Sequence, residues 1–175
     1  MLELTIFAII SAGIICLSYK SLRKPRSHGF FRFFAFEFIL ILVLLNAKYW
    51  FREPFSALQI SSWLLLVLSL AMAVHGFFLL RVIGKPGTAG IEDTTILVRR
   101  GIYKYIRHPL YGSLLLFGWG AFLKDPSVFS AITVLGVSAF LVATARIEES
   151  ENLQKFGTEY ANYVKTTKMF IPFVF

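Results

Sequence analysis

One cysteine, Cys16, stands in a chain of 175 residues, so neither an internal disulfide nor a cysteine-ligated metal cluster is available. Charge is scarce as well. Asp, Glu, Lys and Arg make up 16% of the chain, against about 25% in an ordinary soluble domain. Acidic groups are the scarcer sign, 10 against 18 basic ones, which leaves a net charge of +8. There is no low-complexity tract, and 57% hydrophobic residues exclude a disordered chain. Gly-x-Gly-x-x-Gly, Walker and His-Glu-x-x-His motifs are all missing. The three histidines, His28, His75 and His108, lack metal-ligand spacing, so no metal site is expected. On a soluble protein, +8 would suggest nucleic acid. On so apolar a chain it suggests membrane lipids and orientation in a bilayer instead, and no nucleic-acid partner.

What is present is long apolar sequence. A helix needs about 20 mainly apolar residues to cross the hydrocarbon of a bilayer. Five stretches qualify or nearly so, at about residues 4–19, 30–50, 58–80, 110–123 and 127–145. The fourth is short. Lys124-Asp125-Pro126 makes a tight turn between the last two, which read as a helical hairpin. The start, Met1-Leu2-Glu3-Leu4, lacks the basic region of a cleaved signal peptide, so the first stretch is expected to be a span. With five alternating spans, fifteen Lys and Arg fall at one membrane face and three (Lys48, Arg52 and Lys124) at the other. The positive-inside rule then predicts an outside amino terminus and a cytoplasmic carboxyl terminus. The expected fold class is all-α: a polytopic membrane helix bundle of about five transmembrane helices with a C-terminal amphipathic helix. Residues 1–175 read as a single membrane domain, with two N-terminal spans in 1–57 and a core in 58–175. That core divides into a polar segment at 81–111, the hairpin at 110–145 and a terminal helix at 146–168, interrupted by Gly157. Gly84, Pro86, Gly87 and Gly90 make the first half of the polar segment a loop.

Three polar clusters are candidates for chemistry. Tyr103-Lys104-Tyr105-Ile106-Arg107-His108-Pro109-Leu110-Tyr111 leads into the fourth stretch, with Pro109 suited to a first helical turn. Arg107 and His108 then stand at a helix amino end, where free amides favour an anion. Holding lipid phosphates is the plainer role for Arg107 and Lys104. Arg146-Ile147-Glu148-Glu149-Ser150-Glu151-Asn152 follows the fifth stretch. Glu148 and Asn152 share a helix face and suit a cation or a hydroxyl-rich ligand; a solvated helix segment is the plainer role. Finally, Glu37 and His75 lie inside spans, where ionisable groups are costly and usually paired. A Glu37–His75 contact would satisfy both, as would a wet crevice.

From Leu80 to Pro172 the residues resemble the membrane methyltransferases that include isoprenylcysteine carboxyl methyltransferase and the phospholipid N-methyltransferases. The resemblance rests on Leu80-Arg81, Gly84, Leu97-Val98, Gly101-Ile102-Tyr103, Arg107-His108-Pro109-x-Tyr111, Glu148-Glu149, Leu153, Phe156-Gly157, Glu159-Tyr160, Tyr163 and Ile171-Pro172. It implies S-adenosylmethionine as methyl donor, with S-adenosylhomocysteine as product. It also implies donor contacts at Ile96, Leu97, Val98, Tyr103, His108, Pro109, Leu110, Tyr111, Glu148 and Glu149, and reaction-centre roles for Arg107, His108, Glu148 and Arg146. Two positions depart from the prenylcysteine enzymes. Thr95 stands for a histidine, and Thr144 for a substrate-handling arginine. Arg146 is about 200° further round a helix than position 144. The acceptor is therefore open: an isoprenylcysteine carboxylate, a lipid amine or a thiol, lipophilic or small, met at the cytoplasmic membrane face. Two other readings remain at this stage, an NADPH-dependent membrane reductase with a related Arg-His-Pro-x-Tyr segment and a non-catalytic lipid-binding membrane protein.

Overall fold

The protein is described by a computed structural model covering residues 2–87 and 94–172, so Gly90 lies outside the described residues. It is an all-α membrane helix bundle. In chain order the helices are α1 (Leu2–Leu22), α2 (His28–Leu45), α3 (Ala57–Val82), α4 (Pro109–Phe122), α5 (Val128–Phe156) and α6 (Thr158–Thr166). Short 3₁₀ turns occupy Ala47–Tyr49 and Gly101–Lys104. Among the described residues there is no strand, only isolated bridges joining Pro86 to Thr94 and Ile106 to Lys168.

Four helices, α1, α2, α3 and α5, are long and apolar enough to cross a membrane. α4, with 14 residues, covers only about 21 Å at 1.5 Å per residue, short of the roughly 30 Å of hydrocarbon. α5 differs from the expectation in the other direction. Its apolar part ends near Ala145, but the helix runs on as a polar extension to Phe156. Gly157 then adopts φ +56°, and α6 starts afresh. The terminal helix expected at 146–168 is thus the end of one helix and the whole of another.

Contacts divide the chain into two interleaved units: Met1–Leu66 with Leu115–Glu148, and Val67–Leu114 with Glu149–Phe175. In the first unit, Leu42, Ala121 and Val134 form a buried apolar cluster. Phe140 of α5 stacks on Phe34 of α2 at 5.2 Å between ring centres. Several polar groups inside this unit are paired, as low dielectric favours. Glu37 takes its hydrogen bond from Ser11 Oγ of α1 at 3.1 Å. Asn46 ends α2 and is 1% exposed. Its Nδ2 donates to the Ala121 carbonyl at 2.8 Å, and its Oδ1 accepts from Ser130 Oγ at 3.1 Å. Ser62 of α3 donates to the Gly120 carbonyl at 2.7 Å. Small residues in α4 permit these close approaches.

Candidate functional site

The second unit gathers the motif residues around the start of α4. The chain leaves α3 through Gly84, where any Cβ would lie 2.5 Å from the Leu80 carbonyl oxygen and 2.6 Å from the Thr94 side chain. Gly84 therefore allows residues 94–96 to fold back, and its carbonyl accepts from the amides of Thr95 at 2.9 Å and Ile96 at 3.2 Å. Gly101 has φ +57°, and a Cβ there would meet Leu79 Cδ1 at 2.6 Å and His75 Nε2 at 2.7 Å. Glycine is the residue that lets the 3₁₀ turn approach α3 so closely. The turn buries Tyr103 against Leu79 and Val98.

The segment 105–108 is held by the carboxyl-terminal tail through a short parallel pairing. Lys168 N donates to the Tyr105 carbonyl at 2.9 Å, Arg107 N to the Lys168 carbonyl at 2.8 Å, and His108 N to the Met169 carbonyl at 3.1 Å. α6 adds a pin. The Tyr163 hydroxyl donates to the Tyr103 carbonyl at 2.6 Å. Burial, with Tyr160 beside it, pushes the Tyr163 hydroxyl far above its usual pKa, so it remains a donor. Arg99 binds Glu159 through the backbone carbonyl at 2.7 Å and the carboxylate at 3.2 Å, and lies over the Tyr163 ring.

At the centre, Glu149 Oε1 accepts from Arg107 Nε at 2.6 Å and meets His108 Nε2 at 3.2 Å. The three side chains are 20%, 9% and 3% exposed, respectively. Arg107 Nη1 also donates to the carbonyls of Thr167 at 2.5 Å and Val164 at 3.4 Å, which fixes the guanidinium at the end of α6. His108 lies parallel to Tyr111, 5.6 Å between ring centres, with Phe170 at 6.2 Å. Burial raises the Glu149 pKa, but the hydrogen bonds and charges of His108 and Arg107 outweigh it and hold the carboxyl below its ordinary value. Both bonds fall on Oε1. Oε2 has no hydrogen-bond partner among the described residues.

Arg107, His108 and Glu149 therefore come together, flanked by the buried Pro109 and Tyr111, while Val98 and Tyr103 share the neighbouring apolar cluster. Leu97 and Leu110 are half-buried, and Ile96 is exposed. Glu148, in the first unit, is half-buried. Arg146 is exposed and lines an open groove along α5 with Ala139, Val142 and Ala143. Thr95, at the departed histidine position, donates its hydroxyl to the Lys85 carbonyl at 3.0 Å and so braces the loop. The tail 167–170 was not singled out in sequence. Its only signal there is an apolar run before Pro172.

The sequence model of the phospholipid methyltransferase family matches residues 57–159, well over half of the chain, from the first residue of α3 into α6. The chain belongs to the phospholipid methyltransferase family. Curated relatives of this family member include a methanethiol S-methyltransferase of Pseudomonas deceptionensis, 28% identical over 71 residues, or 41% of this chain and 26% of the relative. A second, from Bradyrhizobium diazoefficiens, is 28% identical over 93 residues, 52% of this chain and 30% of the relative. The protein-S-isoprenylcysteine O-methyltransferase of Dictyostelium discoideum is 33% identical over 87 residues, 46% of this chain and 35% of the relative. The matches span about a quarter to a third of the length of these relatives. The Arg107–His108–Glu149 cluster lies within the family-matched residues.

Proposed function

We propose that this phospholipid methyltransferase family member transfers a methyl group from S-adenosylmethionine to a thiol or another lipophilic or small nucleophile at the membrane face where α4 begins. The observation that carries the reading is the free oxygen of Glu149. It is a carboxylate fixed by Arg107 and His108, ionised at neutral pH, with Oε2 left to accept. The donor offers an ammonium and ribose hydroxyls, both of which suit such an acceptor. Tyr103, His108 and Tyr111 supply apolar and aromatic surface for its remaining parts. Glu148, next along α5, is the second acidic candidate, and Arg146, Ile96, Leu97, Val98, Pro109 and Leu110 complete the implied set.

The donor supplies an electrophilic methyl group on a sulfonium, so the chain need provide no covalent partner. Its residues bind, orient and exclude water, and alignment of this kind contributes about 7–11 kcal/mol. A carboxyl held below its ordinary pKa is a weak base, so Glu149 serves binding rather than proton removal. The segregation of fifteen of the eighteen Lys and Arg supports a cytoplasmic site. The thiol and isoprenylcysteine acceptors in the relatives' names favour a sulfur-bearing acceptor.

Titration of S-adenosylhomocysteine into detergent-purified protein tests the reading. Saturable binding is expected, with affinity reduced at least about tenfold, or 1.4 kcal/mol, in His108→Ala and Glu149→Ala. Equal affinity in both folded variants removes the site. Labelled-methyl transfer to methanethiol and to a prenylcysteine then identifies the acceptor class.

A further inference from the structure

The first unit holds a second polar cluster, where α2 and α4 end and α3 and α5 begin. Lys124, in the turn after α4, is 4% exposed. A buried ammonium is costly without a counter-charge, yet no carboxylate among the described residues pairs with it. Its Nζ donates to Gln59 Oε1 at 3.0 Å and stands over the rings of Trp63 at 3.7 Å and Trp50 at 5.4 Å. Gln59 is itself fixed, its Nε2 donating to the carbonyls of Tyr49 at 3.1 Å and Lys124 at 3.2 Å. One of the three ammonium donors is thus used in a hydrogen bond. Trp50 Nε1 is buried and has no acceptor among the described residues.

A cavity of about 250 Å³ opens here, lined by Arg52, Glu53, Ser56, Gln59, Lys124 and Asp125 among others. Arg52 and Glu53 pair with each other at 3.8 Å at its exposed rim. Asp125 makes no ion pair among the described residues, with Lys124 or any other cation. Two of the Lys124 ammonium protons and the Trp50 indole N–H therefore have no hydrogen-bond acceptor among the described residues. Tyr49, Trp50 and Trp63 surround it, side chains that favour the depth of lipid headgroups.

We propose that this cavity binds a phosphate-type oxyanion, with Lys124 as its buried counter-charge and Arg52 at its mouth. A phospholipid headgroup and free phosphate offer the same chemistry. The site uses none of the residues assigned to methyl transfer and stands or falls separately from it.

Trp119→Phe leaves Trp50 and Trp63 as the only tryptophans of three, so emission reads the site directly. In this background, purified protein in a sugar-based detergent is titrated with inorganic phosphate. The same protein in vesicles of phosphate-free galactolipid is titrated with phosphatidylglycerol. A saturable emission change is expected. A response to phosphatidylglycerol alone assigns the headgroup; a response to phosphate alone or to both assigns a free oxyanion. Lys124→Met is expected to weaken the response at least tenfold, and Lys124→Arg to retain it. Gln59→Glu supplies a resident carboxylate beside Lys124, so it is expected to abolish the response. No emission change with either probe overturns the proposal, as does a full response in folded Lys124→Met or in Gln59→Glu.

Discussion

At the scale of single residues, Glu149 ties Arg107 and His108 into one cluster. Glu149→Gln leaves the 9%-exposed Arg107 without its counter-charge. We expect a loss of about 1–3 kcal/mol, read as a lower melting temperature in detergent. The same pair gives a pH signature. The folded carboxyl lies below its ordinary 4.5, so the stabilisation is complete above pH 4.5 and is lost as pH falls through the folded value. The melting difference between wild type and Glu149→Gln should be constant near neutrality and close below pH 4.5. A difference that persists undiminished well into acid contradicts the pairing. Gly101→Ala is expected to cost about 1–3 kcal/mol, since the turn has φ +57° and no room for a Cβ. The resemblance gave Glu148 the reaction-centre role and named Glu149 only as a donor contact. Each lies one turn beyond a fully buried residue of α5, Thr144 before Glu148 and Ala145 before Glu149. Arg107 and His108 bond to Glu149.

At the scale of elements, α6 and the tail act as a brace on the segment 101–108. Tyr163→Phe removes the buried 2.6 Å bond to the Tyr103 carbonyl. A loss of about 1–3 kcal/mol is expected, and amide hydrogen exchange in 101–108 should quicken more than in α2. Unchanged protection there would show that the pin does not hold the turn. Helices were the most legible part of the fold. All five apolar stretches reappear as α1 to α5 within a few residues at most ends. Where ends moved, a polar contact explains it. α2 stops at Leu45 because Asn46 turns its side chain to Ala121 and Ser130. α5 runs past its apolar part into the polar extension that carries Glu149.

At the scale of the whole molecule, charge segregation predicts orientation. With Cys16 replaced by serine, a cysteine at Ser127, just before α5, should react with an impermeant maleimide from outside intact cells. One at Ser150 should react only after lysis. The reverse pattern would place the α4 start on the outer face. Composition alone determined that this chain is a membrane bundle of α-helices, because long apolar runs in lipid must satisfy their backbone internally. Each separate motif was equally plain, since its own residues lie within a few positions of one another in the sequence. Tertiary structure alone decided which groups meet. Arg107 and Glu149 are 42 positions apart, and Tyr103 and Tyr163 are 60 apart. Periodicity constrains only neighbours within a turn or two, so contacts over such distances follow from how the helices and the tail pack.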